Sequence, residues 1–174
     1  MRTRSLLPSD RAQLVDIISQ GAGFRSAEVE CAIELLDAAL ALADPSAEAV
    51  RGDGGGGEEP EGYEARVAVE DDAPDRVLGY ACFGHTPMTE ATYDLYWLVV
   101  AEAARGRGIG AQLMTAVEDE LRQRGAVTIR VETSSLEGQG GARRFYENTG
   151  FKLAGAIPDF YRKGDDLLVF AKVL

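Results

Sequence analysis

The sequence predicts an α/β (α+β) domain with a mixed central β-sheet of about six to seven strands flanked by helices. Three observations lead there. Apolar residues recur at helical spacing in some segments and in strand-like runs in others, in the order βααβββαβαββ, which mixes hairpins with crossovers. The 174 residues are 45% hydrophobic, enough for one domain with a substantial core, so 1–174 reads as a single unit without internal repeats. A glycine-rich turn, Arg105 to Gly110, joins a strand to a long amphipathic helix.

Residues 3–7 read as a short strand, and Pro8-Ser9-Asp10 supplies a turn and a cap for a helix carrying Leu14, Val15, Ile17 and Ile18, ended by Gly21 and Gly23. Ser26 caps a second helix, with Val29, Ile33, Leu36 and Leu40 on one stripe, until Asp44-Pro45 stops it. The segment 46–62, with four consecutive glycines and several acids, reads as a flexible loop; its Arg51-Gly52-Asp53 tripeptide is loop composition. Strand signals follow at 63–70, 76–84 and 92–100, separated by pieces holding Pro74 and Pro87. A helix from about Gly108 to Arg124 repeats Ile109, Leu113, Val117 and Leu121 every four residues, with Glu118/Arg122 and Glu120/Arg124 as exposed pairs. Gly125 ends it. Val127 to Glu132 is a strand, Gly141 to Thr149 a short helix stopped by Gly150, and 151–157 and 166–173 are two final strands.

The formal net charge of -11 argues against non-specific binding to nucleic acid or an anionic membrane, both of which need basic surface. Cys31 and Cys82 read as unpaired thiols in a reducing compartment, and His85, the one histidine, offers no metal-ligand spacing. With no apolar leader and no stretch long enough to span a bilayer, a cytoplasmic location is the expectation.

Within this acidic chain Arg105, Arg107, Arg143 and Arg144 gather near the glycine turn. Glycines at 106, 108 and 110 remove side chains that would hold a ligand off the main chain, and the helix that follows contributes free N–H groups and its positive dipole end. The turn is thus a phosphate cradle. It is not a P-loop, which needs Lys and Ser or Thr after its last glycine where this chain has Ala111-Gln112. The dinucleotide fingerprint has a different glycine spacing.

What remains is R-x-x-G-x-G between a strand and a helix, and here the chain resembles the GCN5-related N-acetyltransferases (GNAT). The preceding strand, Leu95-Tyr96-Trp97-Leu98-Val99-Val100, ends as the family's central strand does. A second motif, approximately N-x-x-A-x-x-F-Y-x-x-x-G-F, is similar to Gln139 through Phe151, with Ala142, Phe145, Tyr146, Gly150 and Phe151 in register. Gln139 stands where the family often has Asn and retains the amide.

The resemblance implies acetyl-CoA as cosubstrate, without a metal, and direct transfer to a primary amine of a small molecule or protein in a ternary complex. It implies that the pyrophosphate lies on Arg105, Gly106, Arg107, Gly108, Ile109, Gly110 and Ala111. Leu98, Val99 and Val100 would line the acetyl and pantetheine path, and Gln139, Ala142 and Tyr146 would complete the cofactor site. The backbone N–H of Val99 would stabilise the oxyanion, and Tyr146 would protonate the departing sulfur or else serve as a core aromatic. Asp94 lies eleven residues before Arg105, where histone-acetylating members carry a glutamate. Strand alternation puts it on one face with Tyr96, Leu98 and Val100. It is either the general base, acting through water, or an acid bound to a neighbouring turn; Glu90, Tyr96 and Glu132 are rivals for the base. Arg143 and Arg144 would reach a phosphate or solvate a helix face. Acceptor choice would fall to the first two helices, the loop 86–92 and the final hairpin. A non-catalytic acyl-CoA-binding module, or a member using another acyl group or acceptor, is the alternative. Oligomeric state stays open, a homodimer being common in such folds.

Overall fold

One parallel strand pair in an otherwise antiparallel sheet fixes the architecture. The computed structural model describes residues 1–21, 24–43, 62–136 and 141–174. The sheet runs β1 (Arg2–Ser5), β2 (Glu64–Val69), β3 (Val77–His85), β4 (Thr92–Val100), β5 (Thr128–Ser134), β7 (Asp165–Val173) and β6 (Lys152–Arg162). β4 and β5 are parallel, so the chain must cross over between them, and it does so through α3 (Ile109–Gln123). The helices α1 (Arg11–Ser19) and α2 (Ser26–Ala43) cover one face of the sheet, while α3 and α4 (Ala142–Asn148) cover the other. The element order follows the sequence expectation. Segment 46–61, with its Arg-Gly-Asp tripeptide, lies outside the described residues.

Each face has its own core. The α3 stripe of Ile109, Leu113, Val117 and Leu121 is buried with Leu78, Phe83, Tyr93, Leu95 and Phe170. Across the sheet, Leu14, Ile18 and Leu36 pack on Val67, Tyr80, Cys82 and Val99. The two α3 pairs form, but not on open surface. Glu118 is 5% exposed because Lys172 of β7 reaches it alongside Arg122, and Glu120 and Arg124 join a network with Arg66 and Glu64.

Two irregularities shape the middle of the sheet. β4 pairs with β5 only from Thr92–Thr128 to Leu95–Val131, although β4 continues along β3 to Val100 and β5 continues along β7 to Ser134. Beyond Leu95 the two parallel strands therefore diverge and a gap opens between them. At the same level the β3–β4 register slips, Phe83 facing Leu95 and Cys82 facing Trp97, so Tyr96 is an extra residue in β4. The bulge resets the alternation of faces. Tyr93 and Leu95 point into the α3 core and, past the bulge, so do Leu98 and Val100, while Trp97 and Val99 point into the α1–α2 core. Asp94 accordingly shares its face with Trp97 and Val99, not with Leu98 and Val100 as unbroken alternation implied.

Tyr80 is fully buried and its hydroxyl has no hydrogen-bond partner among the described residues, and burial pushes its phenol far up. Tyr80→Phe should therefore leave the unfolding free energy from urea titration unchanged or raise it by up to about 1 kcal/mol, since only an unsatisfied polar atom is removed. A comparable loss of stability would mean that the hydroxyl is satisfied in solution.

Candidate active site

The gap between β4 and β5 opens into a cavity of about 430 Å³ on the α3–α4 side. Its walls are Leu98, Val99 and Val100 of β4, the turn from Ala104 through Gly106, the α3 start from Gly108 to Ala111, and Ala142, Phe145 and Tyr146 of α4. Phe24, ahead of α2, closes one side. The two segments that the sequence singled out thus meet across one slot.

At the phosphate cradle, Gly106 and Gly108 have φ of 76° and 78°, which only glycine adopts without strain, and a Cβ at either would meet nothing within 4 Å. Gly108 is the N-cap of α3 and makes no side-chain capping bond. The first helical bond runs from the Gln112 N–H to the Gly108 carbonyl, so the N–H groups of Ile109, Gly110 and Ala111 have no carbonyl of the helix to bond. They form the end of a helix dipole aimed at the slot. Gly110 is a matter of space: a Cβ there would sit 3.1 Å from Cε2 of Phe145.

The arginine cluster is mostly dispersed. Arg105 lines the cavity, but Arg107 turns away to Glu70 at 2.9 Å, and Arg143 pairs along its own helix with Glu147. Arg144 is exposed on α4, and Gln139 lies outside the described residues.

Strand register decides which backbone donors face the gap. The Ala101 N–H bonds the Leu78 carbonyl, and hydrogen-bonded pairs in an antiparallel ladder recur at every second residue, so Val99 and Tyr80 form such a pair. The Val99 carbonyl lies so close to β3 that a Cβ on Gly79 would be 2.4 Å from it. The N–H of Val99 is thereby directed at β3. The assignment of Val99 as oxyanion donor is corrected on this ground: the N–H groups of Leu98 and Val100, on the opposite edge of β4, face the gap.

Tyr146 lines the slot with most of its ring buried against Phe145, Phe151 and Phe170, at centroid distances of 5.3, 5.5 and 6.0 Å. Burial pushes its phenol well above the usual range, so the group carries its proton. Tyr96 is likewise pushed up to about 12, first by burial and then by the Asp94 carboxylate, so it is a neutral phenol and a poor base.

Asp94 is buried and fully engaged. It accepts from Thr86 Oγ1 at 2.9 Å and from Arg130 Nε at 2.6 Å, which is the turn-bound alternative weighed from sequence. It does not line the slot. Arg130 passes the contact on to Glu132, 3.2 Å from its Nη1, and Glu132 is exposed one residue beyond the last β4–β5 pair. Glu90 is exposed on the loop before β4, and His85 stacks edge-on with Tyr93 at 5.4 Å. On the α2 side, Tyr161 is raised by burial and then by the carboxylates of Glu132, Asp165 and Glu28, so β5, the final hairpin and α2 converge there.

Phe24 and Phe145 are slot residues that sequence reasoning left unassigned. Phe145 stood in the second motif beside Tyr146, a usable signal. Phe24 falls in an aperiodic segment and is fixed by an edge-on contact with Trp97 at 5.3 Å.

Comparison with known proteins agrees with this geometry. The acetyltransferase (GNAT) domain family matches residues 62–153. A solved GNAT-family protein from Desulfovibrio desulfuricans is 33% identical, with 99% of this chain and 98% of that one covered at a TM-score of 0.81. An aminoglycoside 6'-N-acetyltransferase solved with coenzyme A shares the fold at 20% identity, covering 99% and 97% of the two chains, with a TM-score of 0.71. The blasticidin-S acetyltransferase of Streptomyces morookaense is 35% identical over 78 residues, 44% of this chain and 53% of that protein. The chain spans about half the length of the curated relatives of this kind that it matches. Among the described residues, no group of side chains could hold a metal ion and no helix is long and apolar enough to cross a membrane.

Substituting two of the cradle glycines should give different failures. Gly108→Ala forces an alanine into the left-handed region at a cost of about 1 to 2 kcal/mol, read as a lower denaturation midpoint. Gly110→Ala should hold its midpoint, because alanine favours the helix, but should weaken coenzyme A binding by pressing on Phe145. Equal midpoints for Gly108→Ala and the parent would contradict the conformational argument.

Proposed function

We propose, for a chain that belongs to the GNAT acetyltransferase family, an acetyl-CoA-dependent transfer of the acetyl group directly to a primary amine. The observation that carries this reading is the slot itself. A helix N-terminus with uncapped N–H groups lies at one end, unpaired β4 donors run along it, and a buried protonated phenol faces it from α4.

The chemistry follows from the order of these groups. The pyrophosphate rests on the turn from Arg105 to Gly110 and the N–H groups that open α3. Going back along β4 from that turn, the N–H of Val100 comes first and binds the pantetheine arm; the N–H of Leu98 comes next and meets the thioester carbonyl. As the amine attacks, Leu98 stabilises the oxyanion. When the tetrahedral species collapses, the C–S bond breaks and Tyr146 gives its proton to the sulfur, while the surplus proton on the attacking nitrogen leaves through water and restores the phenol, giving an amide and the free thiol. The ammonium of the acceptor must first lose a proton. Glu132, which like Asp94 is outside the slot's lining but is exposed on β5 just past the divergence, is our choice of acceptor for it through water, with Asp94 fixing Arg130 beside it. The formal net charge of -11 favours an acceptor that is itself cationic.

β6 is exposed along nearly its whole length, with Leu153, Ile157 and Phe160 on it, and we assign it to a homodimer contact that sedimentation would detect. The free thiols of Cys31 and Cys82 fit a cytoplasmic location.

Thiol release from acetyl-CoA in the presence of a panel of amines, aminoglycosides, amino acids and peptides tests the activity. Release with cationic amines is expected, whereas stabilisation by acetyl-CoA without release under any acceptor would make the protein a binding module. With an acceptor in hand, Glu132→Gln should displace the acid limb of the pH–rate profile and Asp94→Asn should leave it. The reverse outcome returns the base to Asp94.

A further inference from the structure

Lys172 lies on β7, away from the slot, yet it bridges the two helices that form it. Its side chain is 21% exposed and sits on the α3–α4 face of the sheet. Nζ donates to Glu118 Oε1 of α3 at 2.5 Å and to the carbonyl of Thr149, just past the end of α4, at 2.8 Å, and it stands 5.8 Å from the Phe151 ring centroid. Glu118 keeps a second partner, Arg122 Nη2, at 2.9 Å.

The C-terminal end of α4 is held tightly. The Thr149 N–H donates to the carbonyl of Phe145 and the Phe151 N–H to that of Tyr146, both at 3.0 Å, and Gly150 turns the chain with φ of 91°. A cation against the last carbonyl complements the helix dipole there. At its other end Gly141, which has no side chain to offer a cap, precedes the first turn of α4. The place of α4 relative to α3 is set by the burial of Tyr146 and Phe151 in the α3 core and, at Thr149, by the ammonium that also grips Glu118.

We propose that Lys172 is a positioning residue for acetyl transfer, setting the distance between α3 and α4 and with it the location of the Tyr146 hydroxyl. The proposal rests on the reading of Tyr146 as the proton donor. Lys172 acts through placement, since its ammonium is engaged by Glu118 and the Thr149 carbonyl rather than by the Tyr146 hydroxyl.

The test is a double-mutant cycle of steady-state kinetics on the full chain with Lys172→Met, Lys172→Arg, Tyr146→Phe and Lys172→Met/Tyr146→Phe. Lys172→Met should lower kcat by about tenfold or more, as misplacing a catalytic group does, with the KM for acetyl-CoA changed by no more than about threefold. Lys172→Arg should restore most of kcat. The double variant should be no slower than Tyr146→Phe, because a displaced phenol has nothing left to lose. Parental kcat in Lys172→Met while Tyr146→Phe is impaired, or losses that multiply in the double variant, would overturn the proposal alone. Parental kcat in Tyr146→Phe would overturn the donor reading, and the proposal with it. Should Lys172→Met not fold, Lys172→Met/Glu118→Met removes both buried charges and carries the same readouts.

Discussion

Everything functional in this fold depends on β4 and β5 parting company after Leu95 and Val131. A parallel pair inside a sheet normally satisfies its backbone groups along its full length, and leaving them open is costly unless water or a ligand completes them. Here both strands remain anchored, β4 to β3 and β5 to β7, so the opening is a rigid feature rather than a frayed edge. The bulge at Tyr96 accompanies it. It turns the side chains of Leu98 and Val100 into the α3 core and leaves their N–H groups on the open edge, so one inserted residue sets both the lining of the slot and its donors.

Much of this was legible in the sequence because it is local. The α3 stripe needed only four-residue periodicity, and the cradle announced itself through glycines whose positive φ admits few other residues. The second motif placed Tyr146 beside the slot for the same reason, since Phe145 and Tyr146 occupy neighbouring positions of one short helix. What failed was parity. Counting alternation straight through Tyr96 put Asp94 on the wrong face, because a bulge has no composition of its own. The direction of the Val99 N–H depends on pairing with Tyr80, which is set by the register of another strand. Asp94 was readable as either a base or a turn-bound acid, and the choice lay with Arg130, 36 residues away.

Charge distribution follows a similar division. The arginines gathered near the cradle in sequence could have formed an anion site, yet Arg107 and Arg143 are drawn to nearby carboxylates, as expected in a chain of formal charge -11. Backbone N–H groups consequently make up more of what the glycine turn presents to the slot than charged side chains do. Arg66, Glu120, Arg124 and Glu64 form a network linking β2 to α3, and Glu118 with Lys172 does the same for β7. Ion pairs here fasten the crossover helix to the sheet on both sides of its stripe.

Gly79 gives the slot a second, hidden wall. Its missing side chain lets β3 press against the Val99 carbonyl from the side of β4 opposite the gap. A methyl group at that position would have to displace β4 toward β5, into the opening itself. The width of the slot is therefore governed from behind the strand, by a residue that is not part of its lining.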